Sequence, residues 1–330
     1  MTLVLPTRRV LLAAWAALAG TLAAAAPPAP PAVALDPAGG DEIQGRRDVE
    51  ARLTVPVTIN GGGPYHFVVD TGAERTVISR ELADRLTLAS ARPVTLLSIA
   101  GADEVQTAMV DRLSLTAGRG QLLGLEAPVL SEVHMGAAGI LGIDSLQTKR
   151  VILDFRRMRM SISDSSQSNY GASDEIVVTA RRRLGQLILV DAEADGQKIS
   201  VIIDTGSAVS IGNLLLRDRL SARGRLGRSV PISITSVTGG VTAADYSSIR
   251  SVRIGGITLG HMPIAFADPQ IFRRLGLDQK PALLLGMDVL RLFDRVSIDF
   301  ANHNVRFILP GDGWQMPAPR LAGARIAAQG

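Results

Sequence analysis

Phe67-Val68-Val69-Asp70-Thr71-Gly72-Ala73 returns 134 positions later as Val201-Ile202-Ile203-Asp204-Thr205-Gly206-Ser207. Both times a short, mostly β-branched apolar run ends in Asp-Thr-Gly. Such a run, bounded by turn residues, reads as a buried strand. The strand carries a carboxylate at its end, and the glycine lets the backbone turn sharply there. One such element supplies one acid. Two of them face to face supply a carboxylate pair that shares a proton, since like charges that close cannot both ionise.

Working outward, the repeat extends through most of the chain. Asp41-Glu42-Ile43 returns as Asp174-Glu175-Ile176, and the turn at Asn60-Gly61 as Asp195-Gly196. Gly139-Ile140-Leu141-Gly142-Ile143-Asp144 returns as Leu283-Leu284-Leu285-Gly286-Met287-Asp288. Ile152-Leu153-Asp154-Phe155 returns as Ser297-Ile298-Asp299-Phe300. Markers in the same order at so long a period mean duplicated domains and not a solenoid. The expected layout is one domain over residues 35–164, a linker over 165–173, a second domain over 174–310 and a loose tail over 311–330.

Each domain reads as short strands between turn signals, so the expected class is all-β. Asn60-Gly61 and Asp195-Gly196 are tight hairpin signals. Asp70 to Gly142 spans 72 positions and Asp204 to Gly286 spans 82. The extra length surrounds Asp268-Pro269, where the sequence predicts an inserted helix through Leu275 with Asp268 as its N-cap. Asp144 and Asp288 likewise read as helix caps. Arg181-Arg182-Arg183 reads as a solvated strand end.

Composition removes several functions. With 330 residues and no cysteine, there is no disulfide framework, thiolate nucleophile or cysteine zinc site. The four histidines, His66, His134, His261 and His303, are scattered, so no metal is expected. The net charge of +4 is carried by arginine, with Lys149, Lys198 and Lys280 the only lysines. No basic stripe interleaves with aromatics, and nucleic-acid binding is not expected.

Residues 1–34 read as an export signal. Arg8 and Arg9 precede the apolar run Val10 to Ala26, and Ala32-Val33-Ala34 is a cleavage site of the A-x-A kind. An ordinary secretory leader is preferred to a twin-arginine one, with an uncleaved anchor as the alternative. The expectation is a soluble mature chain, exported to the periplasm.

At these residues a resemblance becomes specific. Each half resembles a retropepsin-like (clan AA) aspartic peptidase domain, over about residues 41–310. The loop Asp70-Thr71-Gly72-Ala73-Glu74-Arg75-Thr76-Val77-Ile78 matches the family's first signature. Ile140-Leu141-Gly142 and Leu284-Leu285-Gly286 match its second. The resemblance implies two closed β domains paired as a pepsin-like pseudo-dimer, with Asp70 and Asp204 as the catalytic dyad. It implies that Thr71 and Thr205 bond across the domain interface, and that Gly72 and Gly206 let backbone N–H groups approach the carboxylates. Ala73 and Ser207 complete the two loops. The hairpins at Ala100-Gly101-Ala102 and Thr238-Gly239-Gly240 lie where the family has its substrate-covering flaps. Glu74 stands where the family places an acid that meets the substrate backbone. A hydroxyl at Ser207 would bond Asp204 and draw the charge there, leaving the proton on Asp70.

The expected function is hydrolysis of a protein or peptide by a water activated between the two aspartates, with no cofactor, in a monomer whose domains pair within the chain. The rivals are a non-catalytic peptide-binding or scaffold protein of the same fold, and a dimer whose dyads form between chains.

Overall fold

The computed structural model describes residues 41–115, 121–146, 149–165 and 175–310. The expected leader and tail lie outside the described residues, as does the expected linker apart from Ser165.

Strands dominate both halves. In the first, Leu53–Ile59 and Gly62–Val69 form a hairpin. Its turn puts Asn60 at φ 50° and Gly61 at φ 85°, the left-handed pair that matches the twist of the flanking strands. Asp195 and Gly196 repeat it at 45° and 78°. Gly62–Val69 then pairs in parallel with Gly139–Leu141, which joins Val77–Ser79. That strand leads through Gln121–Leu130 to Gly101–Leu115, which returns to Leu53–Ile59. The sheet closes on itself and leaves few edges to pair elsewhere. The second half follows the same path, with Ser200–Ile203 parallel to Ala282–Leu285 and Ile211–Gly212 beside it.

The parallel pairs place the loops. Asp70 donates its N–H to the Leu141 carbonyl at 3.0 Å, and Asp204 donates to Leu285 at 3.0 Å. Val69, Leu141, Val201 and Leu285 are fully buried, each contributing about 1.5–3 kcal/mol of transfer free energy. The two acids are therefore fixed at the ends of buried strands.

A shared antiparallel sheet joins the halves. Its order is Asp41–Gln44, Arg159–Asp164, Lys149–Asp154, Arg295–Asp299, Asn304–Ile308 and Glu175–Arg183. The register at its centre is symmetric about Ile152 and Ser297, with Arg150 opposite Asp299 and Asp154 opposite Arg295. Ion pairs of 3.2 Å and 3.1 Å follow from that register. Burial raises the Asp299 carboxyl, but bonds from Asn302, then Ser165 and Arg150, outweigh it and hold the group below its ordinary value. One hydrophobic core runs through both halves, including Val151, Leu153, Phe155, Ile298 and Phe300. The two halves are thus an all-β pseudo-dimer built into one chain. Among the described residues no helix is long and apolar enough to cross a membrane.

Three expected caps are corrected. Gly142 and Gly286, not Asp144 and Asp288, stand at the N-cap positions. Asp144 instead accepts from the Thr76 N–H and hydroxyl, the latter at 2.7 Å. Asp288 does the same with Ser210 at 3.0 and 2.7 Å. The two acids pin the strand that follows each Asp-Thr-Gly loop. The inserted helix is Gln270–Arg274, capped by Pro269 without a side-chain bond. Asp268 pairs with Arg273 instead. Arg181 to Arg183 form the exposed end of their strand.

Candidate active site

The ends of the two apolar strands meet at the floor of a cleft of about 380 Å³ between the halves. Thr71 and Thr205 bind each other's loops reciprocally. The Thr71 hydroxyl donates to the Ile203 carbonyl at 2.8 Å and accepts the Thr205 N–H at 3.2 Å. The Thr205 hydroxyl donates to Val69 at 2.7 Å and accepts the Thr71 N–H at 3.1 Å. Both side chains are buried, so no water competes for these bonds.

Each aspartate is held in the same way. Asp70 Oδ1 accepts from the N–H groups of Gly72 and Ala73 at 2.7 and 3.0 Å. Asp204 Oδ1 accepts from Gly206 and Ser207 at 2.9 and 3.0 Å. The carboxyls touch across the junction. A Cβ on Gly72 would stand 2.6 Å from the Asp204 Cγ, and one on Gly206 would collide with Asp70. Glycine is required here by close approach.

The pair is hydrogen-bonded and titrates as a unit. Burial raises Asp70, opposed by the bonds from Gly72 and Ala73 and then by the positive charge of Arg52. Burial raises Asp204 well above its ordinary value, and the Asp70 charge raises it further. The Arg52 charge thus favours ionised Asp70. Ser207 does not make the side-chain bond to Asp204 expected of it. Its hydroxyl donates to the Val209 carbonyl at 2.7 Å, and only its N–H reaches Asp204, as the Ala73 N–H reaches Asp70.

Two family models match the chain in tandem. The model for the aspartyl protease of gag polyproteins matches residues 55–148, and a second aspartyl protease model matches residues 190–289. The chain belongs to the retropepsin-like aspartyl protease family. It carries two such domains, and each matched span contains one Asp-Thr-Gly loop and one second glycine signature. No curated protein matches it significantly.

Two residues that sequence reading passed over support the retropepsin-like loops. Arg52 and Gln186 each stand 18 positions before an aspartate. Arg52 Nη1 donates to the Gly206 carbonyl at 3.2 Å, and Gln186 Nε2 donates to the Gly72 carbonyl at 2.6 Å. Arg52 also donates to the Met135 carbonyl and pairs with Asp48 at 2.6 Å. A polar residue at the same place in both repeats was the available signal.

The two expected flaps meet at their tips. Ala100 faces Gly240, and the Thr238 hydroxyl lies 3.4 Å from that of Ser98. Gly239 rests against the His134 ring. Gly101 and Ala102 pair with Ser98 and Leu97 in the first hairpin. The cleft walls come from the residues just before the tips, including Leu96, Ile99, Ile234 and Val237. Val237 packs beside Val77, Leu130 and Ile140 of the first half, and Ile99 beside Ile202, Ile211 and Leu284 of the second. Each tip thus leans on apolar wall from the opposite half. Glu74 is engaged from the inserted helix: Arg274 donates to its two oxygens at 2.6 and 2.7 Å. Among the described residues no cluster of three His, Cys, Asp or Glu side chains stands ready for a metal.

Proposed function

We propose that the chain is an active aspartic endopeptidase that hydrolyses an extended polypeptide laid across Asp70 and Asp204. The observation that carries this reading is the close approach of two buried carboxyls, each raised above its ordinary pKa by burial, at the floor of a cleft with aliphatic walls. Asp70, the charged member, takes a proton from a water bound between the pair. The resulting hydroxide adds to the scissile carbonyl carbon, and Asp204 gives its proton to the carbonyl oxygen. In the collapse of the tetrahedral diol the nitrogen takes the proton from Asp70, one diol hydroxyl returns its proton to Asp204 as the carbonyl re-forms, and the C–N bond breaks, so the pair again holds one proton. Reciprocal threonine bonds and backbone N–H groups keep both acids in place through the cycle, so little reorganisation opposes the reaction.

Flap tips resting on the opposite walls favour a lid that opens to admit the peptide and then excludes water. The same proposal includes export. The leader-like residues 1–34 support delivery of the mature chain to the periplasm, where a monomer with its own internal domain pair needs no second copy. Cell fractionation with and without that segment tests the location.

Cleavage of an unbiased peptide library tests the activity, run beside Asp70→Asn and Asp204→Asn and with pepstatin. Loss of cutting with either substitution is expected. Loss with only one would break the shared-dyad reading. A folded protein that binds peptides but cuts none would favour a scaffold of the same fold.

A further inference from the structure

Arg75 and Val209 hold the same place in the two repeats. Each is the third residue after the glycine of its loop. Each is followed by a residue whose N–H and hydroxyl bind an acid, Thr76 to Asp144 and Ser210 to Asp288. The two stretches are therefore in one register, and only the side chains differ. Both residues line the cleft, and the pseudo-twofold puts them on opposite sides of the dyad. Val209 is 9% exposed and belongs to an apolar cluster with Ile211, Ile232 and Phe272. Next to it Ala208 stands in the place of Glu74 and brings no charge. Arg75 is exposed, and its Nη2 donates to the Glu126 carbonyl at 2.7 Å.

The carboxylates around Arg75 are engaged by other arginines. Glu74 accepts both bonds from Arg274. Glu126 pairs with Arg92 at 3.3 Å and accepts from the Thr107 hydroxyl at 3.1 Å. Among the described residues Arg75 has no ion pair, so its side of the cleft carries an excess of positive charge. One carbonyl orients the guanidinium and leaves N–H groups for a ligand. The Gly206 side has the opposite sign. Glu50 lines the cleft and stands 3.4 Å from Arg52 Nη1, the atom that donates to the Gly206 carbonyl. Arg52 also pairs with Asp48 at 2.6 Å, so one cation serves two carboxylates there. His134, the remaining basic side chain of the lining, rests against Gly239.

We propose that the cleft selects a polypeptide segment with an acidic side chain on one flank of the cut bond and an aliphatic one on the other. Arg75 receives the acid, as guanidinium groups bind carboxylates with geometric specificity, and the Val209 wall receives the aliphatic group. The unequal sides also fix the direction in which the segment lies. Reversal would take the acid away from Arg75 and set it against an apolar wall on the side of Glu50, where nothing replaces its lost water. The inference rests on the peptidase reading above.

The test uses the purified protein and a cleaved peptide with Asp, Asn, Lys or Leu placed at each position on either flank of the cut. One flank should show a site where Asp exceeds Asn about two- to fivefold in kcat/KM, the worth of a part-exposed ion pair. Added salt should shrink that ratio. At the corresponding site of the other flank Leu should be preferred and Asp disfavoured. Arg75→Glu should turn the Asp preference into one for Lys. Arg75→Lys should keep much of it, and His134→Gln should leave it in place. The readout is a ratio between peptides, so a general loss of activity does not mimic the effect. Equal cutting of the Asp and Asn forms throughout, or the same acid preference on both flanks, would overturn the inference and leave the peptidase reading standing. So would an Asp preference that survives Arg75→Glu or is lost in His134→Gln. Failure to cut any form would overturn both.

Discussion

Arg52 and Gln186 occupy the same place in the two repeats and reach across the pseudo-twofold to each other's loop, at Gly206 and Gly72. The geometry is shared but the charge is not. Arg52 adds a positive charge on one side of an otherwise symmetric pair of acids, and that charge favours ionised Asp70. Gln186 offers no such bias to Asp204. The two loops are held by matching bonds, and the charge of Arg52, which Gln186 lacks, makes the surroundings of the two acids unequal.

The first prediction concerns that bias. Arg52→Gln alone would strand the buried Asp48, at a cost of about 3–5 kcal/mol. Arg52→Gln with Asp48→Asn removes the pair as a unit and leaves the loop bond available to the new glutamine. Asp70 then loses a cation that favours its charged form, so the acidic limb of the kcat/KM profile should move to higher pH. A profile that stays in place would limit Arg52 to a structural part.

Ser207→Ala gives the complementary result. The hydroxyl faces Val209, not Asp204, and the N–H that does reach Asp204 is kept by alanine. The acidic limb should therefore stay where it is, and stability should fall by about 1 kcal/mol for the lost bond. An upward shift of the limb would restore the reading drawn from sequence.

That contrast marks what a sequence can carry. The two loops were legible because their signals are local: a β-branched run, an acid and a glycine, repeated. The Asn60-Gly61 and Asp195-Gly196 turns were legible for the same reason, since their φ values need those residues. The direction of a serine hydroxyl is decided by which acceptor stands closer in space, and Val209 wins over Asp204. Asp144 and Asp288 looked like caps because acids commonly are, yet their partners Thr76 and Ser210 lie more than sixty positions away. The Arg274 to Glu74 pair spans 200 positions, and only the added length in the second half hinted at it.

The reciprocal threonines can be tested directly. Thr71→Val keeps the β-branched shape but removes the donor to Ile203 and the acceptor of the Thr205 N–H. Two buried backbone groups lose partners, so unfolding free energy should fall by about 2–5 kcal/mol in urea titration. Thr71→Ser restores the hydroxyl and should recover most of it. Activity should follow stability in the valine variant, since the same bonds hold the dyad in register.

Asp204→Asn should abolish cleavage and yet make the protein more heat-stable near neutral pH. The sign follows from linkage. The Asp204 pKa is raised in the fold, so between its unfolded and folded values the native state binds more protons than the unfolded chain. Stability from this group is fully present below the ordinary carboxylate pKa of about 4 and is lost as pH rises through the folded value. At neutral pH the native protein therefore carries a cost that the unfolded chain does not, either of keeping Asp204 protonated or of ionising it beside Asp70. The amide removes that cost and still donates a hydrogen bond to its neighbour. Melting temperature measured against pH should show the variant above the wild type at pH 7, with the gap closing towards pH 3. A constant gap across that range would assign the gain to packing and not to the titration of the pair.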